Sequence, residues 1–223
     1  MVEPDYTITV LNISWKELSE LPDDIDKYTN LEILQCTHNQ LTSLDNLLPT
    51  LKELDCNSNQ ITSLDNLPPS LEKLYCHCNL ITSIDNLPPN LILLDCNGNQ
   101  ITSLDNLTTT LEYLDCTSNN ITSLDNLPPS LEKLYCPFNL ITSLDNLPPN
   151  LIELDCNSNQ ITSLDNLPPS LEKLYCHCNL ITSLDNLPPK LEVLECWNNS
   201  LKYDFVPSLN NIRFYNAFII LPT

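Results

Sequence analysis

The chain has 223 residues, with 29 Asp and Glu against nine Lys and Arg, for a formal net charge of −20 at pH 7. Phosphate backbones and anionic lipid surfaces select for Lys and Arg. The balance therefore speaks against direct contact with nucleic acid or a membrane surface, while a basic partner surface would be steered in favourably.

The N-terminal MVEPDYTITV carries neither the basic start nor the apolar run of a signal peptide, and no apolar run approaches the ~20 residues of a membrane span. The expectation is an intracellular, cytoplasmic chain. Ile8, Leu11 and Ile13 alternate as in a strand, and Leu18 and Leu21 follow. The stretch PDDIDKYTNL predicts one or two helical turns, with acidic residues at the start where the dipole favours them. Residues 1–30 are expected to form an N-terminal capping repeat.

From Leu31 the chain repeats every twenty residues. The unit is L-x-x-L-x-C-x-x-N-x-[LI]-T-S-L-D-N-L-P-P-x, with eight full copies from Leu31 to Lys190 and a ninth beginning at Leu191. Residues 31–200 thus form one tandem array, whose units are too short to bury their own apolar residues and must stack. Within each unit the second Leu and the Cys lie two apart, so both point to one face of a short strand, the core face. The Asn at position nine recurs without exception. An amide both donates and accepts, so a buried column of Asn is expected to satisfy turn backbone. Leaving that backbone unpaired would cost roughly 1–3 kcal/mol per group. Pro-Pro removes two donors and excludes a regular helix from the return segment, which favours an extended, polyproline-like outer path.

The pattern L-x-x-L-x-[LC]-x-x-N-x-L-x-x-L resembles the leucine-rich repeat, over residues 8 to about 214. The twenty-residue length with Leu-Pro-Pro resembles the short repeats of bacterial type III effectors. Cys at the third core position with I-T-S-L-D-N resembles repeat proteins of mimivirus-like giant viruses. The resemblance implies a leucine-rich repeat solenoid, α/β by family and nearly all-β here. It would be a right-handed curved horseshoe with parallel β-strands on the concave face and an extended convex face. It also implies a non-enzymatic protein-protein interaction module, with a host protein as the kind of partner met. Some such effectors carry a C-terminal ubiquitin-ligase domain with a catalytic Cys. No Cys follows Cys196 here, and that activity does not carry over.

Residues 201–223 are expected to form a C-terminal cap, because the repeat signature is lost from Tyr203. Leu209, Ile212 and Phe214 predict a last strand, which would bring the total to eleven and the length to roughly 50 Å at ~4.8 Å per step. Phe218, Ile219, Ile220 and Leu221 would then cover the open core. An apolar tail of this kind could instead dock a partner or a second copy of the chain, which otherwise is expected to be a monomer.

Nine of the eleven cysteines are one column of the repeat, and free Cys packs as a small buried hydrophobe. Nine reduced thiols fit a cytosolic or nuclear compartment. The Cys-His-Cys triplets at 76–78 and 176–178 suggest metal chemistry at first sight. They lie five repeats, about 24 Å, apart, however, and each offers two accessible ligands where zinc takes four, or three and water. The triplet reads as one core thiol plus two surface residues, and no metal or cofactor is expected. His occurs only at His38, His77 and His177, and no Ser/His/Asp or Cys/His constellation stands out. No catalytic residue is expected.

Two outer faces remain. On the concave side, position five reads Gln35, Asp55, Tyr75, Asp95, Asp115, Tyr135, Asp155, Tyr175, Glu195, and position three includes Lys73, Lys133 and Lys173. His77, Phe138, His177 and Trp197 add to this side. Aromatic and amphipathic residues on a rigid surface have the composition of a protein-binding face. Tyr75, Tyr135, Tyr175, Phe138 and Trp197 are the candidate anchors, with the three lysines and His77 and His177 beside them. The alternation also fits recent duplication, since 51–89 and 151–189 differ only at Lys52/Ile152 and Ile84/Leu184. On the convex side Asp45 to Asp185 recur every twenty residues. Neighbours about 5 Å apart repel by roughly 0.8 kcal/mol in water, so something must offset them. Capping of local backbone N–H groups and calcium bridging between repeats are the two readings.

Overall fold

The computed structural model describes residues 4–203 and 205–219, except the side chains of 215, 218 and 219. Ten three-residue strands pair in parallel, in chain order, as one sheet. They are β1 (Val10–Asn12), β2 (Ile33–Gln35), β3 (Glu53–Asp55), β4 (Lys73–Tyr75), β5 (Leu93–Asp95), β6 (Tyr113–Asp115), β7 (Lys133–Tyr135), β8 (Glu153–Asp155), β9 (Lys173–Tyr175) and β10 (Val193–Glu195). From β2 onward the register steps by one repeat, Leu34 beside Leu54 and on to Leu174 beside Leu194. Nine steps of about 4.8 Å give a sheet roughly 43 Å long. The fold is a nearly all-β leucine-rich repeat solenoid.

The core is a set of parallel columns. Leu34 to Leu174 at position four and Leu51 to Leu171 at position one are fully enclosed, as are Ile61 to Ile181 and the cysteines from Cys36 to Cys176. Fully burying each such aliphatic side chain contributes roughly 1.5–3 kcal/mol. The return path carries no strand or helix and turns twice per repeat, at Asp-Asn and just after the first Pro, where Leu71 N–H bonds the Pro68 carbonyl at 3.1 Å.

The buried Asn column joins the repeats. Asn119 Nδ2 donates to the Cys116 carbonyl of its own repeat and to Cys96 of the repeat before, both at 3.1 Å. Its Oδ1 accepts the Ile101 N–H at 2.9 Å. The same three bonds recur from Asn59 to Asn199. Each cysteine carbonyl between Cys36 and Cys176 thereby takes two amide donors, from its own Asn and the next.

The first repeat is longer, and Leu11 still pairs with Leu34. The extra length holds a short 3-10 helix, Ile25–Lys27, where the sequence predicts helical turns. Ile25 and Tyr28 are buried beneath it, and Tyr6 packs edge-on to Tyr28 and donates its hydroxyl to Asp24 at 2.7 Å.

The C-terminal segment differs from the expected eleventh strand. Leu209 to Ile219 form a helix, α1, with Ser208 at its start accepting the Asn211 N–H at 3.3 Å through Oγ. In a strand Ile212 and Phe214 would share a face; in a helix they diverge, and Ile212 is fully buried while Phe214 is 67 % exposed. The helix supplies donors that a further repeat would have supplied. Upstream, Ser70, Ser130 and Ser170 bond the carbonyls of Leu51, Leu111 and Leu151. At Leu191 the donor is Arg213 Nη2, at 2.6 Å. Asn216 Nδ2 bonds the Leu184 carbonyl at 3.1 Å, and the Tyr203 hydroxyl accepts the Leu184 N–H at 2.8 Å. The Phe218, Ile219, Ile220 and Leu221 side chains, expected to cover the core, lie outside the described residues.

Candidate functional site

Because positions four and six of each repeat point into the core, positions three and five of each strand point away from it and tile the sheet's open face. Tyr75, Tyr135 and Tyr175 are half-buried there, each one strand from an aspartate. Lys73 and Lys173 pair with Glu53 and Glu153 on the preceding strand, both at 3.3 Å. Lys133 has no ion pair among the described residues, since its neighbour Glu153 pairs with Lys173. Burial, and then a hydrogen bond to Glu153, pushes the Tyr135 hydroxyl well above the usual tyrosine range.

The remaining candidates fall at the C-terminal ends of the strands. His77 Nδ1 lies 3.4 Å from Asp95 Oδ2. His177 stacks on Trp197, ring centroids 4.2 Å apart and planes within 12°, with Glu195 Oε2 4.0 Å from its Nδ1. Phe138 is 61 % and Trp197 59 % exposed. The candidates thus form three groups: Lys73 and Tyr75 on β4 with His77 just after it; Lys133 and Tyr135 on β7 with Phe138 after it; and Lys173 and Tyr175 on β9, with His177 after it and Trp197 after β10.

Two features escaped the sequence reading. Tyr113, on β6, packs on Tyr135 with centroids 5.4 Å apart, and burial raises its hydroxyl to about 12. It sits at position three of a single repeat, so a search for recurring tyrosines at position five passes over it. Position eight is left-handed throughout, with φ between 52° and 64° from His38 to Asn198. Only Gly98, at φ +64°, and Asn198 are residue types that signal this clearly. Side chains such as Phe138 tolerate the conformation because the backbone is held: Phe138 N–H bonds the Asn157 carbonyl at 3.2 Å.

The cysteine column is core. None of the eleven thiols is in a disulfide; Cys78 is exposed, Cys178 is half-buried and the nine column residues are buried. Burial raises their thiols, Cys36 to about 12. Among the described residues no group of three or more His, Cys, Asp or Glu converges as a metal site would.

The convex aspartates do not cap backbone N–H groups with their carboxylates. From Asp65 to Asp185 the serine two residues earlier does so: Ser103 Oγ accepts the Asp105 N–H at 3.0 Å and donates its own proton to Asp105 Oδ2 at 2.7 Å. The other carboxylate oxygen takes the Asn of the next repeat, Asn126 Nδ2 to Asp105 Oδ1 at 3.0 Å. That amide bond recurs at Asp65, Asp85, Asp125 and Asp145. The donating Asn sits in the left-handed region, φ 63° at Asn126, which Asn tolerates better than most residues. These bonds hold Asp65, Asp85, Asp105 and Asp125 below the usual carboxylate range, the Ser first and the Asn second.

This geometry defines a leucine-rich repeat solenoid with an open, aromatic-bearing sheet, a type of fold that presents extended surfaces to protein partners. A family model described as leucine-rich repeats in two copies matches residues 49–89, 129–169 and 149–189. The leucine-rich repeat domain of a Shigella effector is 30% identical, with 68% of this chain and 70% of that chain covered and a TM-score of 0.61. YopM from Yersinia enterocolitica is 34% identical over 78% of this chain and 48% of that one, TM-score 0.64. The functional domain of InlJ from Listeria monocytogenes, which includes a cysteine ladder, is 30% identical over 88% and 48%, TM-score 0.64. The chain belongs to the leucine-rich repeat family, and it spans about half the length of the YopM and InlJ structures. No curated protein sequence matches it. Among the described residues no helix is long and apolar enough to cross a membrane.

Proposed function

We propose that the chain is a non-enzymatic binding module that recognises a partner protein by rigid docking on the concave sheet. The observation that carries this reading is the row of three half-buried tyrosines fixed in register on an interlocked sheet. Tyr75, Tyr135, Tyr175, Phe138 and Trp197 are the anchors, and Lys73, Lys133, Lys173, His77 and His177 flank them. Rigid aromatic groups lose little rotamer entropy on binding, which is why they dominate interface energetics. The similarity to effector proteins favours an intracellular setting and a host protein as partner, and nine buried thiols suit a reducing compartment. On this reading residues 1–30 and 201–223 serve as caps of the array at 31–200.

A second reading is a scaffold that associates through its ends. Exposed Val206 and Phe214 at the C-terminal end favour it. Affinity capture from host-cell lysate separates the two. The intact chain is expected to retain a protein that a folded Tyr75/Tyr135/Tyr175→Ala variant loses. Equal retention by both would overturn the concave-face reading. Oligomers on size exclusion that are lost on Phe214→Ser would favour the scaffold.

A further inference from the structure

On the open sheet face, positions three and five of β2 to β10 carry seven carboxylates and three lysines. Two of the lysines are committed to Glu53 and Glu153. That leaves Asp55, Asp95, Asp115, Asp155 and Glu195 against Lys133, with His77 3.4 Å from Asp95 and His177 4.0 Å from Glu195 at the strand ends. Asp55, Asp115 and Asp155 form no ion pair among the described residues. Each takes hydrogen bonds only from the residue two further on, Asn57, Thr117 or Asn157. Asp95 and Asp115 stand side by side in register with no cation between them. Across the strands the row runs Asp55, Tyr75, Asp95, Asp115, Tyr135, Asp155, Tyr175, Glu195, one residue per strand.

A carboxylate pairs with an ammonium or guanidinium, and a tyrosine face attracts the same cation. A row that intersperses the two at strand spacing suits a chain of cations laid across it. Accordingly, we propose that the partner segment docked on this face is basic: a Lys- or Arg-rich stretch of polypeptide running across β3 to β10, its cations placed between Asp55, Asp95, Asp115, Asp155 and the flanking tyrosines. This rests on the concave-face reading and names the chemistry of its partner. The charge state agrees. Burial, against the hydrogen bonds from Asn57, Thr117 and Asn157, raises Asp55, Asp115 and Asp155 above the usual carboxylate range, and a docked cation would favour their ionised form. The convex aspartates from Asp65 to Asp145 already take donors from their own serine and from the asparagine of the next repeat.

The two ladders provide the control. Asp55/Asp95/Asp115/Asp155→Asn on the inner face and Asp65/Asp85/Asp105/Asp125→Asn on the outer face change the net charge equally. A fluorescein-labelled nona-arginine peptide, with nona-glutamate as its control, would be titrated against the intact chain and both variants near physiological salt. The expected result is binding of nona-arginine by the intact chain and the outer variant, at least tenfold weaker binding by the inner variant, and no binding of nona-glutamate. Equal weakening in both variants would reduce the effect to overall charge and overturn the proposal, as would no binding by the intact chain. If the inner variant melts early, Asp115→Asn alone is tested, with a threefold loss expected and no loss overturning the proposal. A captured partner that depends on the tyrosines but not on these aspartates would overturn this inference while leaving the concave-face reading intact.

Discussion

The protein carries two ladders of aspartate, one on each side of a single thickness of core, and they are held in opposite ways. On the convex side every carboxylate from Asp65 to Asp145 accepts a hydrogen bond from its own serine and another from the asparagine one repeat on. On the concave side Asp55, Asp115 and Asp155 are more buried, bonded only to the turn that follows, and have no ion pair among the described residues. The first ladder is internally compensated and contributes to the scaffold. The second lacks such compensation, which is the basis of the proposed basic partner. The outer aspartates recur in every repeat, while tyrosines interrupt the inner ones. What also differs is the supply of donors.

The largest expected effect comes from breaking what both ladders stand on. Asn119→Ala would leave the Ile101 N–H without its partner and strip one of two donors from Cys96 and Cys116. The orphaned donor and two lost bonds should cost about 3 kcal/mol or more, read as a lower midpoint in urea unfolding. A cost below about 1 kcal/mol would mean that the amide column is not the join between repeats.

Next is the inner ladder itself. Asp115 is raised by burial before any other cause. A carboxyl raised in the folded state stabilises the fold below its ordinary pKa near 3.9, and that contribution is lost as pH rises through the folded value. At pH 7 Asp115→Asn should therefore stabilise, by roughly a few tenths of a kcal/mol after solvent screening, and the gain should vanish toward pH 4 in thermal melts. The smallest effect, with opposite sign, is expected outside. Asp105 is lowered by Ser103 and then Asn126, so its contribution is present above the ordinary carboxylate pKa and lost as pH falls through the folded value. Asp105→Ala should lower the melting temperature slightly at pH 7 and leave it unchanged well below that value.

The twenty-residue period made the stack legible in the sequence. A period states which residues align, and from Leu, Leu, Cys and Asn columns the strand, the core face and the buried amide column follow by parity and hydrogen-bond chemistry alone. Contacts between repeats were not legible in the same way. The recurring D-N reads as a turn within one unit, yet Asn126 serves Asp105 of the previous unit. The left-handed position eight hides behind His38, Ser58, Cys78 and Phe138, residue types that announce no special backbone. At the C-terminal end, Leu209, Ile212 and Phe214 read as a strand because the array upstream sets that expectation. Ser208 and the donors of Arg213 and Asn216 favour a helix instead. Of the candidate face, the tyrosine and lysine columns were visible as columns. Tyr113 lies outside those columns, and whether Lys133 is paired depends on which neighbour Glu153 takes, which only the packed face decides.

The most direct measurement is a carbon-detected NMR titration of the aspartate carboxyl groups in the intact chain. The account predicts two populations: Asp55, Asp115 and Asp155 titrating above the ordinary aspartate pKa, and Asp65, Asp85, Asp105 and Asp125 below it. A single population, or the reverse order, would contradict the claim that one ladder is compensated from within and the other is not.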